Sequence, residues 1–100
     1  MKRPSPGTRE EAEALAIQAL TFIAEDPEML SRFLGMTGIE AGQIRTAARE
    51  PGFLAGVLEH MLGDESLLIA FAASARIDPA EVARARSALG GGRKWERDVP

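Results

Sequence analysis

The side chains that most resemble a catalytic set lie in the middle of the chain. His60 is the single histidine, and Asp64 and Ser66 follow it after four and six residues. Serine hydrolase chemistry needs a nucleophile, a base and an orienting carboxylate that converge beside an oxyanion site. A short local segment gives no reason to expect that convergence. We therefore expect His60 to lie at the edge of an apolar helix face, and we predict that the protein is not an enzyme.

Metal and cofactor sites are not predicted either. The chain has no cysteine, and His60 with Asp64 offers too few ligands to hold a metal alone. The glutamates at positions 10, 11 and 13 fall in a first helical turn, where acidic side chains favour the helix. Residues 89–94 are rich in glycine but lack the strand and the following helix of a phosphate-binding loop. We expect no metal, no cofactor and no small-molecule ligand.

A second set of side chains could contact DNA. The spacing of a helix-turn-helix unit is met by Leu34, Gly38, Ile39, Ile44 and Ala47. After the predicted turn, Gln43, Arg45 and Arg49 face away from the apolar side and could donate to base edges or phosphates. Glu40 and Glu50 flank them, however, and the formal net charge of the chain is −3, a poor match to a polyanion. DNA binding is therefore the alternative interpretation, and we do not expect a nucleic-acid partner.

Helices must position all of these residues, because strand signals are scarce. Capping residues and apolar periodicity predict six short helices. Their N-terminal signals are Thr8, Asp26-Pro27, Glu40, Glu50-Pro51, Asp64 and Asp78-Pro79. We predict one all-α domain, a compact bundle over residues 8–90, between tails at residues 1–7 and 91–100. We expect Trp95 in the second tail to dock back on the domain or to remain in a disordered tail; the alternative is that it anchors a partner, as interface tryptophans often do.

The second half of the chain echoes the first. Asp26, Leu30, Phe33, Ile39 and Ile44 are matched 38 residues later by Asp64, Leu68, Phe71, Ile77 and Val82. The matches fall on helix caps and on apolar positions, which any helix pair needs in order to start and to pack. The pattern is consistent with two related three-helix halves, and it favours a packing unit used twice over a pair of DNA-reading motifs.

Excess apolar surface is the feature most informative about function. Ile17, Leu20 and Ala24 form a stripe on the first helix opposite its main apolar face. The fifth helix, residues 67–75, is apolar almost all the way round. Such a helix is either surrounded by other helices or presents one side to a partner. We therefore predict a non-catalytic interaction module, in which Ile17, Leu20 and Ala24 with the fifth helix bind a second copy or another protein.

The sequence predicts a cytoplasmic protein. The longest uncharged apolar run, residues 14–24, is shorter than the roughly 20 residues that span a bilayer. The N-terminal basic residues are not followed by the apolar segment of a signal peptide. The lack of cysteine suits a reducing compartment. We expect no membrane segment.

Three runs carry a resemblance to a known family: DPEMLSRFLGMTGIEAGQIR, PGFLAGVLEHMLGDESLLIAFA and IDPAEVARARSALGG. In their order along the chain they resemble a family of short, functionally uncharacterised proteins of alphaproteobacteria, over residues 10–91. The resemblance implies a compact helical cytoplasmic protein of bacteria. It implies no activity and no site residue.

Overall fold

The structure is a computed structural model that describes residues 8–89. The two predicted tails, with Trp95, lie outside the described residues. Within this range the chain forms helices and no strand, which confirms the all-α prediction. The elements are α1 (Arg9–Ala24), α2 (Pro27–Thr37), a 3-10 turn (Ala41–Gln43), α3 (Ile44–Ala47), α4 (Pro51–Leu62), α5 (Glu65–Ala75) and α6 (Pro79–Leu89).

Side-chain caps begin the helices at most of the predicted positions. The Asp26 carboxylate accepts a hydrogen bond from the backbone N–H of Glu28 at 2.9 Å, and Asp64 accepts one from Leu67 at 3.1 Å. Thr8 and Asp78 accept equivalent bonds at the starts of α1 and α6. Each bond satisfies a backbone donor that has no partner within its helix, which typically stabilises the fold by about 1 kcal/mol. These boundaries were predictable because a cap acts over three residues.

The third predicted helix is broken into two pieces. The sequence predicted one helix over residues 40–49, but a 3-10 turn precedes an α3 of only four residues. The Gln43 side-chain oxygen accepts from the backbone N–H of Glu40 at 3.1 Å, which closes a tight first turn. Gly42 adds little helix propensity inside that turn. Glu50 is extended (φ −98°, ψ 125°) because it precedes a proline.

Helix α4 lies at the centre of the packing. It contacts α1, α5 and α6, and its buried side chains are Phe53, Leu54, Ala55, Val57, Leu58 and Met61. Helix α1 packs against α4 and α6, and its residues Ala12, Ala16 and Ala19 are completely buried. Small side chains at a helix contact let the two axes approach closely.

Helix α5 is peripheral rather than central. Its buried residues are Leu67, Phe71 and Ala72, and Phe71 packs edge-to-face on Phe22 of α1 with ring centroids 5.6 Å apart. The interpretation that the other helices surround α5 is therefore wrong. The buried aromatic ring fixes which side of α5 faces the core, so the opposite apolar side is left in solvent.

The predicted echo is visible in the element boundaries. Helices α2 and α5 each have 11 residues, follow an aspartate cap and end in a residue with left-handed backbone conformation. That residue is Gly38 (φ 76°) after α2 and Arg76 (φ 59°) after α5. The third elements differ, since the 3-10 turn and short α3 stand where the second half has the 11-residue α6. Equivalent positions can therefore be compared between α2 and α5.

Candidate functional site

The stripe predicted on α1 is not a continuous surface. Ile17 is 45% exposed, and Ala24 is also exposed, but Leu20 is only 6% exposed and belongs to the core. Including Leu20 in an interaction surface was wrong, because its position on the helix places it beside Ala16, Ala19 and Ile23 on the buried side. Polar residues Gln18 and Thr21 share the outer side of α1 with Ile17. Ile17 is therefore an isolated apolar residue, which is normal on a protein surface.

The outer side of α5 is a continuous uncharged stripe, which we call the α5 outer face. Its residues are exposed: Ser66, Ile69, Ala70, Ala73 and Ser74. Ile69 stands near its centre and is 52% exposed. Ala73 lies one turn further along, so the stripe has one bulky side chain beside small ones. This arrangement leaves apolar area in water and offers little steric obstacle to a second helix.

At the positions of α2 equivalent to this face most residues are polar or lack a side chain, but Ser74 corresponds to Met36, which is 71% exposed. Subtracting the 38-residue offset, Ile69 corresponds to Ser31, Ala70 to Arg32 and Ala73 to Gly35. Both helices have the same length and cap type. The two outer faces therefore differ in where their apolar area lies, since the bulky exposed side chain is Ile69 near the middle of α5 and Met36 near the C-terminal end of α2.

Opposite charges stand at the two ends of the α5 outer face. Glu65 is exposed at the first residue of α5, and Arg76 is exposed at its C-cap. Within residues 8–89 the side chains that form ion pairs are Arg32 with Asp64 and Arg86 with Glu59. Neither Glu65 nor Arg76 is paired in that part of the chain. Within the described residues both charges are therefore accessible to a binding partner.

The candidate catalytic residues do line one cleft, which lies beside α5. This cleft of about 290 Å³ is lined by Met29, Arg32, His60, Asp64, Ser66, Leu67 and Ala70. The convergence of His60, Asp64 and Ser66 was not expected from their short local spacing. Asp64 uses one carboxylate oxygen to cap Leu67, and the other lies 4.0 Å from the Arg32 guanidinium. In the described part of the chain, no hydrogen bond joins His60 to either of the other two residues.

His60 has the environment predicted for a residue at the edge of the core. Its ring packs edge-to-face on the buried Phe33, with centroids 5.1 Å apart. Burial lowers the pKa of His60, Asp64 raises it and Arg32 lowers it, with burial as the largest effect. The net result favours the neutral imidazole. These contacts account for the position of His60 through packing against the core.

The side chains of the DNA-binding alternative are exposed, but only a short helix supports them. Gln43, Arg45 and Arg49 all face solvent, and the side-chain oxygen of Gln43 already caps the 3-10 turn. Helix α3 has four residues and is about 6 Å long. A recognition helix inserts several side chains into the major groove. One helical turn between Glu40 and Glu50 provides a small surface for that purpose.

Residues 8–89 contain neither a metal-binding cluster nor a membrane-spanning helix. Within that range, no group of three or more His, Asp or Glu side chains is placed to hold a metal ion. No helix of that range combines the length and the apolar character needed to cross a membrane.

Comparison with protein families identifies the class to which the chain belongs. Residues 9–92 match the model of a family described as "Protein of unknown function (DUF3572)". Because the match covers most of the sequence, the protein is a member of this family. No curated protein and no solved structure matches the chain. The match confirms the predicted resemblance to a functionally uncharacterised family of helical proteins.

Sequence reasoning selected α5 without identifying which of its sides is exposed. A usable signal was present, since Phe71 is the only aromatic residue of α5 and marks its buried side. Helical periodicity then places Ile69 and Ala73 on the opposite side. Glu65 and Arg76 were also missed, because their importance depends on that orientation.

Proposed function

We propose that this protein is a non-catalytic interaction module that binds protein through the α5 outer face. The observation that carries the proposal is the exposure of Ile69 within an uncharged stripe of small residues. The surface predicted from sequence is thereby reduced to α5. Leu20 is excluded by its burial, and Ile17 and Ala24 lie among polar neighbours on α1.

The energetics favour a partner that covers Ile69. Removing the exposed half of an isoleucine side chain from water contributes on the order of 1 kcal/mol, at about 25 cal/mol per Å² of apolar area. The flanking residues Ala70 and Ala73 lose little side-chain entropy when they are covered. A partner helix that lays an apolar face on α5 would gain the free energy of burying Ile69 at a small cost in side-chain entropy. No charge along the stripe would have to be neutralised. This is the usual chemistry of helix recognition.

Site-specific photocrosslinking in the cell of origin tests the proposal. A benzoylphenylalanine residue would replace Ala70 on the α5 outer face, and a control chain would carry it in place of Gln18 on the outer side of α1. We expect a covalent protein adduct from position 70 that position 18 does not form. The substitution Ile69→Lys should greatly reduce the adduct from position 70.

Two crosslinking results would contradict the proposal. No adduct at position 70, or adducts of equal yield at positions 70 and 18, would exclude the α5 outer face as a specific protein-binding surface. A protein adduct that forms at position 70 but not at position 18, and that is lost with Ile69→Lys, supports the proposal whichever protein is attached.

The alternative of DNA binding by Gln43, Arg45 and Arg49 has no comparable support. The side-chain oxygen of Gln43 accepts a backbone bond, and the two arginines are bracketed by acidic residues. In a low-salt titration with mixed-sequence duplex DNA, we expect the amide resonances of residues 40–49 to stay in place. A shift confined to these residues would restore the DNA-binding interpretation.

A further inference from the structure

We propose that the occupant of the α5 outer face is a second copy of the same chain, with the two α5 helices antiparallel about a two-fold axis. This inference rests on the proposed function and names its partner. It arises from the charges at the two ends of the face. The stripe between them is uncharged and its two ends carry opposite charges, so the α5 outer face is complementary to its own antiparallel copy.

Glu65 is the first residue of α5 and Arg76 is its C-cap, and helical periodicity places the two backbone positions on the same edge of the helix. They are 11 residues apart, which is about three helical turns and a rise of about 16 Å. In an antiparallel two-fold pair, the edge of α5 that carries Glu65 and Arg76 lies against the same edge of the second copy, whose helix runs in the opposite direction. Glu65 of each copy is therefore brought towards Arg76 of the other. One contact geometry thus forms two identical ion pairs.

The same register fits the apolar side chains. A two-fold axis that crosses the helix pair at the level of Ala70 and Phe71 places Ile69 of one copy beside Ala73 of the other. The reciprocal contact follows by symmetry. The bulky side chain then packs next to a small one in both copies. Small residues at the contact allow the helix axes to come close together. Charge and shape therefore indicate one register.

A parallel arrangement is disfavoured by the same residues. It would place Glu65 beside Glu65 and Arg76 beside Arg76, so each end of the contact would join like charges. Opposite charges steer association and like charges oppose the wrong arrangement. The placement of one acid and one base at opposite ends of the stripe thus selects the antiparallel pair.

The identity of residue 76 adds an independent observation. Its counterpart in the first half is Gly38, and both residues take the left-handed conformation that ends their helices. Glycine adopts this conformation without strain, whereas another L-residue is disfavoured there. The chain therefore carries an arginine after α5 where the corresponding position after α2 is a glycine. Pairing with Glu65 of a second copy gives the arginine a role that glycine could not fill.

The dimer should be weak. An 11-residue helix is about 16 Å long, so the contact between two α5 helices covers only a few hundred Å² per copy. A stable complex usually buries about 800 Å² per partner. We therefore expect association at chain concentrations on the order of 0.1–1 mM, and a dependence on ionic strength because the ion pairs are exposed.

Charge reversal tests the arrangement in the full chain. Sedimentation equilibrium at low ionic strength would compare the wild type, Glu65→Arg, Arg76→Glu and the double variant. Each single reversal creates two like-charge contacts and should weaken the dimer by about tenfold. The double variant restores opposite charges in both contacts and should return to within about threefold of the wild type. Glu10→Arg is the matched control, since Glu10 is an exposed first-turn acid of α1 as Glu65 is of α5.

The outcomes separate this inference from the proposed function. Circular dichroism first establishes that each variant is folded. Recovery in the double variant, with the Glu10→Arg control unchanged, supports the antiparallel pair. A wild type that stays monomeric at 1 mM overturns it, and so does a double variant as weak as the single reversals. If the chain is monomeric but position 70 crosslinks another protein, the proposed function stands and this inference fails.

Discussion

Shortening one side chain on α4 and one on α5 should have very different effects on stability. Leu58 is completely buried in the central helix, whereas Ile69 is 52% exposed on the peripheral one. The substitutions Leu58→Ala and Ile69→Ala remove the same number of carbon atoms. Any difference between them therefore reports the burial of the site. The difference tests which of the two helices lies at the centre of the fold.

The expected magnitudes follow from burial. A buried leucine shortened to alanine typically costs about 3–5 kcal/mol, because apolar contacts are lost and a cavity remains. A domain of this size has a total stability of roughly 4–12 kcal/mol, so Leu58→Ala should remove a large part of it. Ile69→Ala should cost about 1 kcal/mol or less. Since 1 kcal/mol corresponds to roughly 4–8 °C for a domain of 60–100 residues, the melting temperatures should differ by at least about 10 °C.

Urea denaturation followed by circular dichroism measures both free energies of unfolding. Chain concentrations near 10 µM keep the protein monomeric, so that loss of the proposed dimer contact does not contribute. If Ile69→Ala destabilises the monomer as much as Leu58→Ala, then α5 is packed on its outer side as well. That result would refute the peripheral position of α5 and with it the argument for an exposed binding face.

Two further predictions concern His60 and the cap of α5. Burial lowers the pKa of His60 in the folded protein relative to about 6.5 in the unfolded chain. Stability should therefore be complete above pH 6.5 and fall as the pH is lowered towards the folded-state pKa, because the unfolded chain binds the proton first. His60→Gln should flatten this part of the profile, and a profile identical to the wild type would contradict the assignment. Arg76→Gly should stabilise the monomer by up to about 1 kcal/mol by removing left-handed strain, while the proposed dimer weakens; a loss of monomer stability would contradict the strain argument.

The parts of the fold that could be predicted from the sequence are those set by local interactions. Asp26 and Asp64 cap their helices through hydrogen bonds to residues two or three positions away, so a short window contains the whole interaction. Gly38 ends α2 through its own backbone conformation. Such signals are independent of how the helices later pack. They sufficed for six helices and for the all-α class.

The parts that could not be predicted depend on how the helices face one another. Leu20 and Ile17 lie on the same helix, which has apolar residues on more than one side, so helical periodicity alone does not fix which side is buried. Contacts of α1 with α4 and α6 decide the matter. The same holds for the cleft, where Arg32 of α2 meets Asp64 at the start of α5. The division of the third helix has another origin, since a hydrogen bond from the Glu40 backbone to Gln43 competes with regular α-helical geometry.

The central claim is that the α5 outer face binds protein, with a second copy of the chain as the proposed partner, and nuclear magnetic resonance of the wild-type chain tests that pairing most directly. Amide spectra would be recorded from about 20 µM to 1 mM at low ionic strength, the range in which a contact of this size should form. We predict concentration-dependent shifts concentrated in residues 65–76, with little change at positions 14–24 of α1. Shifts centred on the outer side of α1, or no shift at any concentration together with no crosslink at position 70, would contradict the claim.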